Sequence, residues 1–223
     1  MRPAILLGAT VALVLAGPAS AAVLLPGSSN TAFTGFDAST QGTLLDWKRI
    51  QGVALTFTGD LRAAVYRNTL GTLDFYYQVQ RTAGGEIGSD DIRSITAANF
   101  GDFGVEALFS DVDLDGSGIF TTANNGGGLG TGNRNTAGGV IGINLDSAAA
   151  LSGTETTATY IFRTTARTYS DRGTFGVSDG ATFSGRAFQP TGVPEAGTWA
   201  MLLFGFAGIG TALRRNRARV AIA

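Results

Sequence analysis

The densest chemistry in the sequence is the stretch Asp-Val-Asp-Leu-Asp-Gly-Ser-Gly at 111–118. Asp111, Asp113 and Asp115 alternate, and Gly116 permits the sharp turn that would bring their oxygens together. This is the spacing of the first half of an EF-hand calcium loop, with the Ser117 carbonyl as a further donor. The match stops at the twelfth position, where Thr122 stands in place of a bidentate Glu, and no helical pattern flanks the loop. Asp111, Asp113 and Asp115 are therefore a candidate Ca²⁺ site that needs another acid from elsewhere, set against the plainer reading of a solvated acidic turn. No other cofactor is expected.

The sequence contains no His and no Cys. That excludes thiolate nucleophiles, Ser-His-Asp triads and the usual ligands of zinc, copper and haem. Carboxylates remain, and Glu86, Asp90, Asp91, Glu106 and Glu155 could in principle supply a glycosidase pair, although spacing alone sets no two of them across a cleft. Trp47 and the Tyr76-Tyr77 pair could stack on sugar rings, but core packing explains aromatics on strands more cheaply. No catalytic residue is assigned.

These residues must be positioned by strands. In Leu73–Gln80, Leu73, Phe75, Tyr77 and Val79 fall on one face and Asp74, Tyr76, Gln78 and Gln80 on the other, the pattern of a half-buried strand. The segment 52–68 reads as a hairpin, with Val53, Leu55 and Phe57 before a Gly59-Asp60 turn and Leu61, Ala63 and Val65 after it. Further strands are expected within 103–110, 138–145, 156–164, 173–177 and 181–188. Residues 123–139 are rich in Gly and Asn and read as a long exposed loop, lacking the Gly-Lys-Ser/Thr ending and the strand-then-helix context of a phosphate cradle. Eight or nine short strands separated by turn residues predict a mainly β fold: a single antiparallel β-sandwich, jelly-roll-like or Ig-like, over residues 22–192.

Charge divides the chain. Between Ala22 and Val193, 11 Lys/Arg stand against 16 Asp/Glu, a balance of 11 − 16 = −5. An acidic body excludes nucleic acid as a partner, since that requires a basic face for phosphates. The remaining basic residues are Arg2 at the start and Arg214, Arg215, Arg217 and Arg219 at the end. Residues 1–21 have the layout of a secretory signal peptide: a basic start, an apolar run from Ala4 to Ala16, Pro18, and small residues Ala19 and Ala21 placing cleavage after Ala21. At the other end, Ala196 to Leu213 gives 18 uncharged residues. As a helix these would span about 27 Å, near the hydrocarbon thickness of a bilayer. Trp199 suits one interface, and the arginines hold the other side in the cytoplasm, leaving residues 22–195 outside.

Val193, Pro194 and Glu195, followed by Trp199, Ala200 and Met201, an apolar run and the arginine cluster, resemble a PEP-CTERM sorting signal of the Pro-Glu-Pro-x-x-Trp-Ala-Met type. The resemblance covers residues 193–219 and departs from the pattern at Ala196, where a second proline is usual. It implies a C-terminal transmembrane helix and recognition by an exosortase of a Gram-negative bacterium. The tail would be held in the inner membrane, cut near Pro-Glu, and removed as the protein passes to the cell surface or extracellular matrix. It also implies a link to exopolysaccharide and biofilm. The expected function is therefore a structural or adhesive exported protein; the alternative is a carboxylate-dependent polysaccharide-active enzyme or a carbohydrate-binding module.

Overall fold

The computed structural model describes residues 22–114 and 116–192, together with Phe206. Twelve strands follow one another in the chain. They are β1 (Ala22–Val23), β2 (Thr34–Gly35), β3 (Thr43–Val53), β4 (Phe57–Arg67), β5 (Leu73–Gly84), β6 (Ser94–Ala98), β7 (Val105–Ser110), β8 (Thr131–Arg134), β9 (Val140–Asn144), β10 (Thr159–Thr164), β11 (Thr168–Asp179) and β12 (Ala181–Thr191). One sheet runs β1-β7-β10-β5-β4-β3, with β2 pairing parallel to β7, and the other runs β12-β11-β6-β9-β8. All remaining strand pairs are antiparallel, so the body is a two-sheet sandwich. The one helical piece within 22–192 is a 3₁₀ turn at Ala38–Thr40, and among the described residues no helix is long and apolar enough to cross a membrane. The sorting residues Val193 to Met201, the four terminal arginines and the signal-cleavage residues Ala19 and Ala21 lie outside the described residues.

Alternation dictates the core. Leu73, Phe75, Tyr77 and Val79 of β5 point between the sheets with Leu61, Ala63 and Val65 of β4. Ile95, Ile143, Phe175, Val177 and Phe188 join the same core from the second sheet. Tyr77 is the cross-piece: its ring lies 4.8 Å from Phe175, and its hydroxyl donates to the Phe188 carbonyl at 2.8 Å. Burial pushes the Tyr77 hydroxyl pKa far above its ordinary value, so it stays a donor.

At one side the edge strands β3 and β12 close the sandwich. A Cβ at Gly52 would sit 2.3 Å from the Phe183 ring and one at Gly185 2.6 Å from Ile50, so only glycine permits this approach. Lys48 points inward from β3, its Nζ 4.7 Å from the Phe188 ring centroid and 3.9 Å from Asp171. An inward charge on an edge strand discourages pairing with a second chain.

Three expectations are corrected. The turn of the first hairpin is at Ala54–Thr56, and β4 runs through Gly59 and Asp60; beside Gly59 the register shifts because β5 carries one extra residue, Thr82. The strand β5 is buried on both faces, with Asp74, Tyr76 and Gln78 all inaccessible, because other segments cover the outside of its sheet. Residues 123–139 are not one exposed loop: they include β8, and Asn125 and Arg134 are buried. Arg134 donates to the carbonyls of Leu24, Phe100, Phe103 and Gly138 at 2.7–3.0 Å, gathering three segments at one rim. Removing a donor that serves four buried carbonyls would be costly, which is why a charged residue is kept there.

Candidate functional site

The acidic loop is seated on the outer face of the first sheet. Leu114, Ile119 and Phe120 pack against Tyr66, Tyr76, Leu108 and Ile161 in a second apolar cluster. Gln78, fully buried in β5, clasps the loop as a strand would: its amide nitrogen donates to the Thr121 carbonyl at 2.6 Å, and its amide oxygen accepts from the Thr121 N–H at 3.0 Å. Within the loop, one Asp113 oxygen accepts from the Gly116 N–H at 3.2 Å, while Asp111 is exposed and its carbonyl accepts from Ala123. Asp115 lies outside the described residues. Among the described residues, no three His, Cys, Asp or Glu side chains gather to hold a metal ion.

The carboxylates weighed for hydrolysis stand on separate elements. Glu155 is used within its own turn, accepting from the Ser152 N–H and hydroxyl at 2.7 and 3.0 Å. Glu106 lies on the outer face of β7, in register with Arg163 of β10, which in turn bonds the buried Asp74 at 3.1 Å. Burial pushes the Asp74 carboxyl above its ordinary value, opposed by the hydrogen bonds and charge of Arg163 and by Asn68. Glu106 faces a half-open cavity of about 270 Å³, lined also by Val23, Leu70 and Val105, but the buried Asp74 does not line it. Asp90 and Asp91 occupy a connector at the edge of another depression, where Arg93 reaches both Asp91 and Asp179 at 3.6 Å.

The aromatics separate cleanly. Tyr76 and Tyr77 are core residues, whereas Trp47 is 49% exposed on the outer face of β3. Register places Trp47 in a three-by-three grid across β3, β4 and β5. The first row is Trp47, Ala64, Tyr76; the second is Arg49, Arg62, Gln78; the third is Gln51, Asp60, Gln80. Ala64 opposite Trp47 leaves the indole standing above its neighbour, and Phe120 and Tyr76 close the row on the far side.

The polar rows are tied together. Arg49 bonds the buried Asp60 through Nε at 3.0 Å and through Nη2. Arg62 donates to Gln80 at 3.0 Å and to the Thr121 hydroxyl at 3.1 Å, and among the described residues it forms no ion pair. Desolvation, then the positive charge of Arg49, lowers the Arg62 pKa against the pull of Asp60. The grid thus presents two guanidiniums against one carboxylate on a body whose other charges are mostly acidic.

No protein-family model, curated protein or solved structure matches this chain. What the site can do therefore rests on its own geometry. Of the aromatic candidates among the described residues, Trp47 alone is open to solvent, and its neighbours Arg49, Arg62, Gln51 and Gln80 carry no site assignment from sequence. The period-two run Trp47, Arg49, Gln51 carries the signal, but a hairpin turn at Gly59-Asp60 pairs the strand through Leu61, Ala63 and Val65 with 53–57 instead of with this run.

Proposed function

We propose that this chain is an exported surface or extracellular-matrix protein, sorted by an exosortase, with a structural or adhesive role linked to exopolysaccharide. The carrying observation is the order of parts in residues 193–219: Pro194-Glu195, Trp199-Ala200-Met201, an uncharged run, then Arg214, Arg215, Arg217 and Arg219. A signal-peptide layout precedes the body in the same chain. In this reading the uncharged run is a transmembrane helix that holds the protein at the inner membrane until the tail is removed.

The folded body supports this reading in two ways. The last strand ends at Thr191, two residues before Val193, so the motif follows the sandwich with almost no spacer. Both ends of the body also lie at one rim: Val23 lines one depression and Gly192 another, and Thr165 belongs to both. A body attached at that rim keeps the outer face of its first sheet free. The dispersed carboxylates give the enzyme alternative no comparable support.

Intact-mass measurement of protein released from the surface of an exosortase-bearing host tests the reading. The expected mass lacks residues 199–223. A mass that retains them overturns processing and leaves a simple anchor.

A further inference from the structure

We infer that the open grid on β3–β5 binds an acidic polysaccharide, with Trp47 stacking on a sugar ring and Arg49 and Arg62 receiving its carboxylate. This deepens the proposed function by naming the class of polysaccharide and the residues that hold it.

The argument begins with what the patch lacks. The first sheet's outer face is apolar where segments cover it, through Tyr66, Tyr76, Leu108 and Ile161. Beyond Thr121 the cover ends: the indole of Trp47, the guanidinium of Arg49 and the amide of Gln51 are exposed, Arg62 and Gln80 are half-buried beside them, and the exposed Val53 follows at the end of β3. A protein partner would be expected to bury a broad apolar centre, and here Arg49 and Gln51 separate Trp47 from Val53, so no such centre forms. A sugar ring has an apolar C–H face matching one indole and a rim of hydroxyls matching amides and hydroxyls. Gln51, Gln80 and Thr121 are such groups within one strand spacing of the arginines.

Charge selects the acidic class. Asp60 is committed to Arg49, so one positive charge is left over, and Arg62 has amide and hydroxyl acceptors where a carboxylate could sit. Bidentate guanidinium geometry suits a uronate carboxylate. Asp46, the nearest other acid on β3, is turned to its own chain and accepts from the Trp47 N–H at 2.8 Å. The surrounding hydrogen bonds hold the arginines in place before a ligand arrives, which reduces the ordering cost of binding.

Affinity electrophoresis of the full chain in mild detergent, through gels containing polygalacturonate or the neutral glucan dextran, decides the matter. Retardation is expected with polygalacturonate and not with dextran, and it should weaken with added salt. Trp47→Ala should weaken the apparent affinity at least tenfold, Trp47→Phe should restore part of it, and Arg62→Gln should weaken binding to polygalacturonate several-fold. Arg167→Gln, in the turn between β10 and β11 and outside the grid, should leave binding unchanged. The site is overturned by absent retardation, by equal retardation in dextran, or by retardation that Trp47→Ala and Arg62→Gln do not alter. Sorting is not involved in the gel, so a failed mass test with positive retardation removes the exosortase reading alone. The converse pattern removes the site alone.

Discussion

The outer face of the first sheet has two halves made by the same strands. On one, Tyr66, Tyr76, Leu108 and Ile161 are sealed by Phe120, Ile119 and Leu114. On the other, Trp47, Arg49 and Arg62 stay open although Trp47 shares a row with Tyr76 and the two arginines lie in the next. The boundary is Gln78, whose amide holds the Thr121 backbone on one side while Arg62 reaches the Thr121 hydroxyl from the other. A sheet face thus becomes core or surface according to where one loop is fastened. The covered half serves stability, and the open half is free to serve binding.

Substitutions in the two halves should accordingly differ in kind. Phe120→Ala has the largest expected effect, because Phe120 is 2% exposed and its loss leaves a cavity against Tyr76. It should cost about 3–5 kcal/mol in denaturant unfolding. A cost near zero would mean the loop is not part of the core.

Gln78→Leu comes next. It removes the donor to the Thr121 and Thr157 carbonyls and the acceptor for the Thr121 N–H, at a cost of about 2 kcal/mol. Protection of the Thr121 amide from hydrogen exchange should fall with it; unchanged protection would show that Gln78 is not the fastener.

Asp74 lies in the covered half and gives a pH signature. Its native pKa is raised above the ordinary value of 3.8, chiefly by burial. The folded state therefore holds that proton more tightly than the unfolded chain. The residue's contribution is most favourable below 3.8 and is lost as pH rises through the raised native value. Unfolding midpoints measured against pH should fall more steeply in the wild type than in Asp74→Asn across that window. The opposite slope would mean that Arg163 outweighs desolvation.

The sequence made part of this legible. Alternation in Leu73–Val79 identifies the inner face of β5 because period-two burial is local information. The outer burial of Asp74, Tyr76 and Gln78 could not be read there. It depends on Phe36 and on the loop at 111–124, which are distant in sequence and reach the sheet only in the folded chain. The buried role of Arg134 was hidden for a similar reason, since its partners Leu24 and the Phe100–Phe103 turn come from two stretches distant from it in sequence. The acidic run at 111–115 drew attention by composition, while its apolar neighbours Leu114, Ile119 and Phe120 determine where the loop sits. Trp47 was visible as an aromatic, but its exposure required knowing that Ala64 stands opposite.

The smallest expected stability effect belongs to the residue with the largest expected functional one, and Trp47→Ala therefore tests the central contrast most directly. Its unfolding free energy and its retardation by polygalacturonate should be measured on the same preparation. The account predicts stability within about 0.5 kcal/mol of wild type, as for an open surface position, together with at least tenfold weaker binding. A several-kcal/mol loss of stability with binding retained would contradict it, and would place Trp47 with the covered half.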